Sequence, residues 1–223
     1  MDSSAVVRKI GEIGIVPVVR ASSPDEACRV VEAILAGGIH IIEITTTVPN
    51  ASEVIRKVVR CHRGVVLAGA GTIRSAAQAA ECLDAGAEFL VSPGLSTAVV
   101  SLARSRNTLA IPGALTPSEV MNASELGLNL LKIFPCSSAG GPNHIRSLKA
   151  PFPEMEFIPT GGVNLSNAEE YLRAGAFALG VGTDLAHVNS IGAGNSQKIV
   201  DTAKALTEVV AKVRRELMAA GER

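Results

Sequence analysis

One lysine, Lys132, interrupts an otherwise apolar run, LLKIFP, at residues 130–135. An apolar run of this length is typical of a buried strand, so the sequence predicts that the lysine amine lies inside the fold. Burial favours the neutral amine over the ammonium ion, and the neutral amine is the nucleophile that forms a Schiff base with a carbonyl substrate. The alternative is a lysine near a strand end whose ammonium group reaches water along an apolar surface. The run alone does not decide between these two interpretations.

Glu43 is the matching carboxylate, in the run HIIEIT at residues 40–45. Because side chains alternate between the two faces of a strand, Glu43 shares a face with Thr45, and Lys132 shares one with Phe134. If both faces point into one barrel interior, the amine and the carboxylate meet there. A Schiff-base aldolase needs such a pair, namely an amine that binds the substrate and an acid/base that moves protons. A purely structural ion pair is the alternative, although a buried pair often gives no net stability.

The elements that position these two side chains follow from the apolar pattern. Apolar runs typical of strands recur eight times, at residues 15–19, 39–44, 65–68, 87–91, 108–111, 129–134, 155–158 and 177–181. The segments between them have the spacing of amphipathic helices and usually end at glycine. Alternating strands and helices predict a parallel sheet, and eight such units fit a single (β/α)8 TIM barrel, in one domain of residues 1–223. An open doubly wound sheet is the alternative fold.

Two further helices and one loop complete the predicted architecture. A short helix at residues 6–13 would cross the bottom of the barrel, and a long helix would span residues 197–218. The apolar face of the long helix consists of Val200, Ala203, Leu206, Val210, Val213 and Leu217. Residues 186–196 are rich in Gly, Asn and Ser and are predicted to form a flexible connection near the active-site end.

Composition argues against several classes of partner and cofactor. The chain has 21 Lys and Arg against 21 Asp and Glu, with one Tyr and no Trp, so nothing indicates a nucleic-acid surface. The amino terminus has no signal-peptide pattern, and no apolar stretch approaches the roughly 20 residues of a membrane span, so we expect a cytoplasmic protein. The four cysteines lack CxxC spacing and the four histidines lack ligand pairs, so we expect no metal, no disulfide framework and no metal-dependent aldolase.

Polar residues and glycines gather at predicted strand ends, where a barrel has its active site. Arg20 closes the first strand, and Thr72 and Pro93 follow the third and fourth. Two glycine-containing loops follow the seventh and eighth strands, where TIM barrels commonly bind phosphate through backbone N–H groups. One such loop is a weak indicator, but two at adjacent strand ends favour a phosphate site. The candidate residues in these loops are Thr160, Gly161, Gly162, Gly182 and Thr183.

These segments together resemble the class I, trimeric aldolases of 2-keto-3-deoxy-6-phosphogluconate (KDPG) and 4-hydroxy-2-oxoglutarate (KHG). The resemblance runs from about residue 15 to residue 185 and rests on IVPVVR, EIT, GAGT, VSP, PG, LKIFP, PTGGV and GVG, in chain order. It implies that Lys132 forms the Schiff base with pyruvate, that Glu43 is the general acid/base and that the glycine loops hold the substrate phosphate. It also implies a homotrimer and a pyruvate pocket shaped by Thr72, Pro93 and Phe134.

Two positions depart from the family pattern. Many members have an arginine four residues after the glutamate, where it contacts the pyruvate carboxylate, but this chain has Thr47. Arg20, at the end of the neighbouring strand, is the expected substitute. Asp184 puts a carboxylate beside the expected phosphate site. It either caps a short helix with its charge turned outward or faces the pocket, and in the second case an unphosphorylated substrate such as KHG is favoured.

The sequence therefore predicts a retro-aldol lyase without cofactor that releases pyruvate and an aldehyde from a 2-keto-3-deoxy acid. The aldehyde would be glyceraldehyde 3-phosphate from KDPG or glyoxylate from KHG. One alternative is the same chemistry on another 2-keto-3-deoxy acid, such as the phosphogalactonate epimer, although Thr160 is the residue type of the KDPG enzymes. The other is a sugar-phosphate-binding barrel with weak catalysis, which the missing arginine at position 47 favours.

Overall fold

The computed structural model describes residues 2–186 and 196–221. Most of the loop predicted at residues 186–196 lies outside the described residues. Strands and helices alternate as predicted, and all eight predicted strands are present. The elements are α1 (Ser3–Ile13), β1 (Ile15–Val19), α2 (Pro24–Ala36), β2 (Ile41–Thr45), α3 (Ala51–Cys61), β3 (Leu67–Gly71), α4 (Ala76–Asp84), β4 (Phe89–Val91), α5 (Thr97–Ser105), β5 (Leu109–Ile111), β6 (Gly113–Ala114), α6 (Pro117–Glu125), β7 (Leu130–Ile133), a 3₁₀ turn (Ser137–Ala139), α7 (Pro142–Lys149), β8 (Glu156–Pro159), α8 (Ala168–Arg173), β9 (Leu179–Val181), α9 (Thr183–Ala186) and α10 (Ser196–Gly221).

Hydroxyl side chains start several of the helices that follow strands. Each accepts a hydrogen bond from the backbone N–H three residues later, which satisfies one of the unpaired donors of the first turn. The capping residues of α2, α4, α5 and α6 are Ser23, Ser75, Ser96 and Thr116. These caps fix the points at which the chain leaves the carboxyl-terminal end of the sheet, which is the end that carries the candidate site.

The strands form a curled parallel sheet in two hydrogen-bonded pieces. Six strands pair in the order β5-β4-β3-β2-β1-β9, and three pair in the order β6-β7-β8. Pro112 separates β5 from β6, and its carbonyl accepts a hydrogen bond from the Lys132 N–H at 3.0 Å. A single bridge, between Thr160 and Gly180, joins β8 to β9. The predicted ladder of eight continuous strands is thus interrupted at two places, at a proline that has no N–H to donate and at this bridge.

Helix packing argues against the doubly wound alternative. Consecutive helices contact each other from α2 through α5, α7 contacts α8, and α10 contacts both α8 and α2. A doubly wound sheet places helices on both faces and reverses its strand order, whereas the order here runs from β5 to β1 without reversal. The helices therefore pack side by side around the outside of the curl.

The long helix α10 covers one side of this arrangement. Its predicted apolar face is buried at Ala203, Leu206, Val210 and Val213, and Ile199 is buried with them. The prediction is wrong at Leu217, which is 44% exposed, because the last turns of the helix extend beyond the elements on which it packs. Across residues 2–186 and 196–221, no helix is long and apolar enough to cross a membrane.

Candidate active site

Lys132 and Glu43 meet inside the curled sheet. The Lys132 side chain, on β7, is 6% exposed, and the Glu43 side chain, on β2, is 3% exposed. The Lys132 Nζ donates to the Glu43 Oε1 at 3.5 Å, which is long for a hydrogen bond, and lies 5.5 Å from the centre of the Phe134 ring. The burial of Lys132 and its contact with Glu43 confirm the strand-parity prediction and contradict the solvated-lysine alternative.

The glycine at the end of β3 makes room for the carboxylate. A Cβ built on Gly71 would lie 1.9 Å from the Glu43 Oε1, so a larger residue there would displace Glu43. Thr72 follows with a φ of 60°, an uncommon conformation for a β-branched residue. The Thr46 hydroxyl donates to the Thr72 carbonyl at 3.0 Å. The Thr72 backbone, which follows Gly71 beside the Glu43 carboxylate, is therefore strained and is held by a hydrogen bond from Thr46.

Threonines at the end of β2 and on the loop after it connect this segment to the end of β1. The Thr45 hydroxyl donates to the Val19 carbonyl at 3.0 Å, and its oxygen lies 2.7 Å from the Thr47 hydroxyl oxygen. Thr47 stands at the position where the family resemblance predicts an arginine, and the Val19 carbonyl directly precedes Arg20. The structure thus places the backbone that carries Arg20 next to Thr47, which is what the substitution hypothesis requires.

Glu26 fixes the loop after Arg20 and was missed by the sequence analysis. This carboxylate is buried and accepts hydrogen bonds from the Ser22 hydroxyl and the Ser22 N–H, both at 2.6 Å. These bonds, with the hydroxyl bond the larger cause, hold the pKa of Glu26 below its usual value. The available signal was the S-x-x-E pattern from Ser23 to Glu26, although the two hydrogen bonds of 2.6 Å that the carboxylate accepts come from Ser22.

A cavity of about 110 Å³ opens beside the lysine at the carboxyl-terminal ends of β1, β8 and β9. It is lined by Val18, Arg20, Phe134, Thr160, Gly161, Gly162, Gly182, Thr183 and Asp184. Seven of these were predicted site residues. Asp184, an exposed residue in the first turn of α9, also belongs to the lining. Val18 was missed, although it is two residues before Arg20 and so lies on the same face of β1.

The remaining predicted residues lie beside this cavity rather than on its wall. Lys132 and Glu43 do not line it, and Phe134 connects them to it through its contact with the lysine amine. Thr72 and Pro93 also lie off the cavity wall. Pro93 nevertheless packs near the lysine, because its carbonyl lies against Gly113 and Gly113 pairs with Lys132 in the sheet.

The glycine loop after β8 leaves donors for a ligand. Gly161 and Gly162 have φ angles of 91° and 78°. Their carbonyls are used inside the protein, by the Ser137 N–H for Gly161 and by the Asn167 side chain for Gly162. Among the described residues, no acceptor takes the N–H group of either glycine. The loop can therefore donate two hydrogen bonds to an oxygen-bearing ligand.

The described residues hold no cluster of His, Cys, Asp and Glu side chains that could bind a metal ion. Two thiols, those of Cys82 and Cys136, are buried. Burial raises the pKa of both Cys82 and Cys136 to about 11, which makes them inert at neutral pH. Lys132 is therefore the buried nucleophile that the site offers.

Comparison with known proteins agrees with this geometry. The sequence profile of the aldolase family described as KDPG and KHG aldolase matches residues 6–202. The KHG/KDPG aldolase of Escherichia coli (strain K12) is 31% identical over 194 residues, which is 87% of this chain and 91% of that protein.

Solved structures extend this likeness to the fold. KDPG aldolase from Legionella pneumophila, solved with pyruvate captured at low pH as a covalent carbinolamine intermediate, is 30% identical and superposes with a TM-score of 0.84 over 90% of this chain and 97% of its own. A cube-shaped protein cage designed by fusing symmetric oligomeric domains gives a TM-score of 0.85 at 26% identity, over 95% of this chain and 77% of that one. The chain therefore belongs to the KDPG and KHG aldolase family of Schiff-base, class I aldolases.

Proposed function

We propose that this protein cleaves KDPG and/or KHG to pyruvate and an aldehyde through a Schiff base on Lys132. The observation that carries the proposal is the buried amine of Lys132 in contact with the buried carboxylate of Glu43. The pair lies in the fold of a family that includes a relative captured with covalently bound pyruvate. The same chemistry on another 2-keto-3-deoxy acid, such as the phosphogalactonate epimer, is the alternative.

The proposed reaction begins when the Lys132 Nζ attacks the C2 ketone and loses water to form an imine. Glu43 then takes the proton of the C4 hydroxyl, the C3–C4 bond breaks, and its electron pair enters the protonated imine to give an enamine while C4 leaves as an aldehyde. Glu43 returns the proton to C3, and water hydrolyses the pyruvate imine to pyruvate and the free amine. The distance of 3.5 Å between the Lys132 Nζ and the Glu43 Oε1 suits a carboxylate that exchanges a proton first with the C4 hydroxyl and then with C3.

The substrate would lie with its pyruvate end near Lys132 and its aldehyde end in the cavity. Thr72, Pro93 and Phe134 would shape the pyruvate pocket, and Arg20 would bind the pyruvate carboxylate in place of the family arginine. In support, the Thr45 hydroxyl binds the Val19 carbonyl, which directly precedes Arg20, and lies beside the Thr47 hydroxyl. The distal end of the substrate would meet the two glycine loops, with Thr160, Gly161 and Gly162 on one side and Gly182 and Thr183 on the other.

We further propose that the whole chain, residues 1–223, is one TIM-barrel domain in which β5 and β6 act as a single strand bent at Pro112. The parallel pairings on both sides of that bend and the bridge between β8 and β9 support closure. A homotrimer is the assembly expected from the resemblance. It is supported by the structural match to a cage built from symmetric oligomeric domains. A cytoplasmic location remains a prediction from sequence.

Borohydride reduction in the presence of pyruvate tests the proposal. The imine on Lys132 would be reduced to a stable secondary amine, so we expect a mass increase confined to the peptide that contains Lys132. Proton exchange at the pyruvate methyl group, followed by NMR, should show that the enamine forms. A protein that binds sugar phosphates without turnover, the alternative suggested by Thr47, would give neither the adduct nor the exchange.

A further inference from the structure

We infer that the cavity at the amino-terminal end of the sheet is a second ligand site, which binds a small carboxylic acid with an apolar body. The cavity has a volume of about 400 Å³ and lies between α1, α5 and the starts of β5 and β7. The candidate active site lies at the opposite end of the same sheet, so the two sites are separate. The inference goes beyond the proposed function and does not rest on it.

The wall of this cavity is mainly apolar. Val100 and Leu130 are buried in the core, and Val7, Leu109 and Leu128 are partly buried and pack against it. A volume of about 300 to 1,000 Å³ with an apolar wall is typical of pockets that bind small molecules. An apolar ligand surface that packs on these side chains leaves water, which favours binding.

The charged residues on this wall are both cations. Arg8, on α1, and Arg104, on α5, line the cavity, and none of its described lining residues is an aspartate or a glutamate. Across residues 2–186 and 196–221, neither guanidinium forms an ion pair with a carboxylate. The chain as a whole has equal numbers of acidic and basic residues, so this cavity has a local excess of positive charge. An anionic group on the ligand would balance that charge.

The loop after α6 holds Arg104 at the wall. The Arg104 guanidinium donates to the Leu126 carbonyl, and its Nη2 atom would lie 3.6 Å from a Cβ built on Gly127. A guanidinium has five N–H donors, and no second acceptor for those of Arg104 is found in the described part of the chain. A carboxylate fits the remaining donors, because its two oxygens can accept from one guanidinium together. The ligand class is therefore a carboxylate on an apolar body.

Calorimetric titration of the full-length protein with 4-phenylbutyrate tests this site. The amide 4-phenylbutanamide has nearly the same shape without the charge, so comparison of the two isolates the contribution of the arginines. Because exposed charge pairs contribute modestly, we expect saturable binding with a Kd for the carboxylate about 3- to 25-fold below that for the amide. Arg8→Gln and Arg104→Gln should each weaken carboxylate binding by about 1.5- to 5-fold, and the double variant should no longer distinguish the two ligands.

Three further variants give the matched comparisons. Ser4→Glu adds a carboxylate to the wall in the first turn of α1, where an acid suits the helix dipole, and it should weaken carboxylate binding by about threefold or more while the fold is retained. Arg106→Gln removes an exposed arginine that pairs with Asp84 and is not a lining residue, so binding should match the wild type. Arg20→Ala, at the other end of the sheet, should also bind 4-phenylbutyrate as the wild type does.

Three results would overturn the inference. The first is that the wild type shows no saturable binding of 4-phenylbutyrate, or binds the acid and the amide equally. The second is unchanged discrimination in the double variant Arg8→Gln/Arg104→Gln. The third is loss of binding in Arg20→Ala, which would place the ligand at the candidate active site instead. The proposed function is tested separately by imine trapping on Lys132, so the two can fail independently.

Discussion

Two lysines of this chain have similar surroundings and different chemistry. Each ammonium nitrogen lies over a phenylalanine ring, Lys132 at 5.5 Å from the centre of Phe134 and Lys149 at 5.7 Å from the centre of Phe157. Each also faces a glutamate. Lys132 lies inside the curled sheet, whereas Lys149 lies at the end of α7, beside the amino-terminal end of β8. Residue types alone therefore do not distinguish a reactive lysine from a structural one.

Their other contacts do distinguish them. Lys149 donates to the Met155 carbonyl at 2.6 Å as well as to Glu156 at 3.3 Å, and its side chain is 21% exposed. Lys132 has one described hydrogen-bond acceptor, Glu43 at 3.5 Å, and its side chain is 6% exposed. The carbonyl and the carboxylate hold the Lys149 amine in one position. The Lys132 amine is held by a single long hydrogen bond, which leaves it freer to approach a substrate carbonyl.

The amino-terminal and carboxyl-terminal ends of the sheet differ in the size of their cavities and in the position of buried polar side chains. A cavity of about 400 Å³ lies at the amino-terminal end, between α1, α5 and the starts of β5 and β7, and it is larger than the carboxyl-terminal cavity. The ionisable residues that line it, Arg8 and Arg104, are exposed. The buried polar side chains of the described residues lie at or beyond the middle of strands, or in the segments that follow them: Glu26, Glu43, Thr45, Ser92, Lys132 and Thr160. Buried polarity, and not cavity size, locates the site.

Replacing each lysine in turn is the strongest test of the difference between Lys132 and Lys149. Lys132→Ala should lower turnover by about 10⁴-fold or more and abolish pyruvate trapping, because no other described amine is buried beside an acid. Lys149→Ala should keep both, with some loss of thermal stability. Mass mapping of the borohydride adduct and a thermal melt of each variant check this. Trapping that survives in Lys132→Ala would move the nucleophile elsewhere.

Replacing the glutamate beside each lysine should separate the two sites by the next largest effect. Glu43→Gln keeps the shape of the side chain and loses its proton transfer, so the imine should still form while cleavage and proton exchange slow by about 10²- to 10⁴-fold. Glu156→Gln, beside Lys149, is the matched control and should leave both rates unchanged. Exchange of the pyruvate methyl protons at the wild-type rate in Glu43→Gln would remove Glu43 from the mechanism.

One arginine at each end of the sheet, Arg20 and Arg104, can be compared for its effect on binding of the substrate carboxylate. Arg20→Ala should lower kcat/KM by about 10- to 150-fold, which corresponds to a charge-assisted bond of roughly 1.5 to 3 kcal/mol. Arg20→Lys should recover little, because the bidentate fork is lost. Arg104 lines the amino-terminal cavity and donates to the Leu126 carbonyl, so Arg104→Ala should leave kcat/KM unchanged.

A double variant sharpens the interpretation of Arg20. In Arg20→Ala/Thr47→Arg, an arginine returns at the position where many relatives have one, and the Thr45 hydrogen bonds bring that loop close to the Arg20 backbone. Recovery of pyruvate exchange would mean that either strand end can hold the same carboxylate. An unchanged kcat/KM in the single variant Arg20→Ala would instead contradict the substitution hypothesis.

The alternation of strand side chains made much of the site predictable. Parity within two strands was enough to bring Lys132 and Glu43 together, although they are 89 positions apart in the chain. Residues at adjacent strand ends, such as Arg20 and Gly182, were likewise expected on one wall and line one cavity. These features were accessible because a period of two fixes the direction of each side chain once the strand is located.

Other features depend on geometry that a single sequence does not encode locally. The two-residue strand β6 is too short to show periodicity, so the bend at Pro112 was missed. The direction of Asp184 depends on where the four-residue helix α9 begins, and the sequence left that open. The hydrogen bonds that Ser22 donates to the Glu26 carboxylate depend on the exact path of the loop. Such details require the packed structure.

The smallest predicted difference between the two ends of the sheet concerns the backbone of Thr72. Its φ of 60° is strained for a β-branched residue, and bonds from the Thr46 hydroxyl to its carbonyl and from the Ile73 N–H to the Val91 carbonyl hold it there. Thr72→Gly should relieve about 1 to 3 kcal/mol of strain and lose about 0.5 to 1 kcal/mol to the flexibility of glycine in the unfolded chain.

The free energy of unfolding of Thr72→Gly should therefore rise by about 1 kcal/mol, while kcat/KM falls by about 2- to 10-fold because the pyruvate pocket loses one hydroxyl. Asn107→Gly is the control at the amino-terminal end, where asparagine already tolerates a φ of 51°, and both quantities should stay near their wild-type values. Urea unfolding and steady-state kinetics measure the two effects. A Thr72→Gly variant that is less stable than the wild type would show that the packing of the Thr72 side chain outweighs the backbone strain at this position.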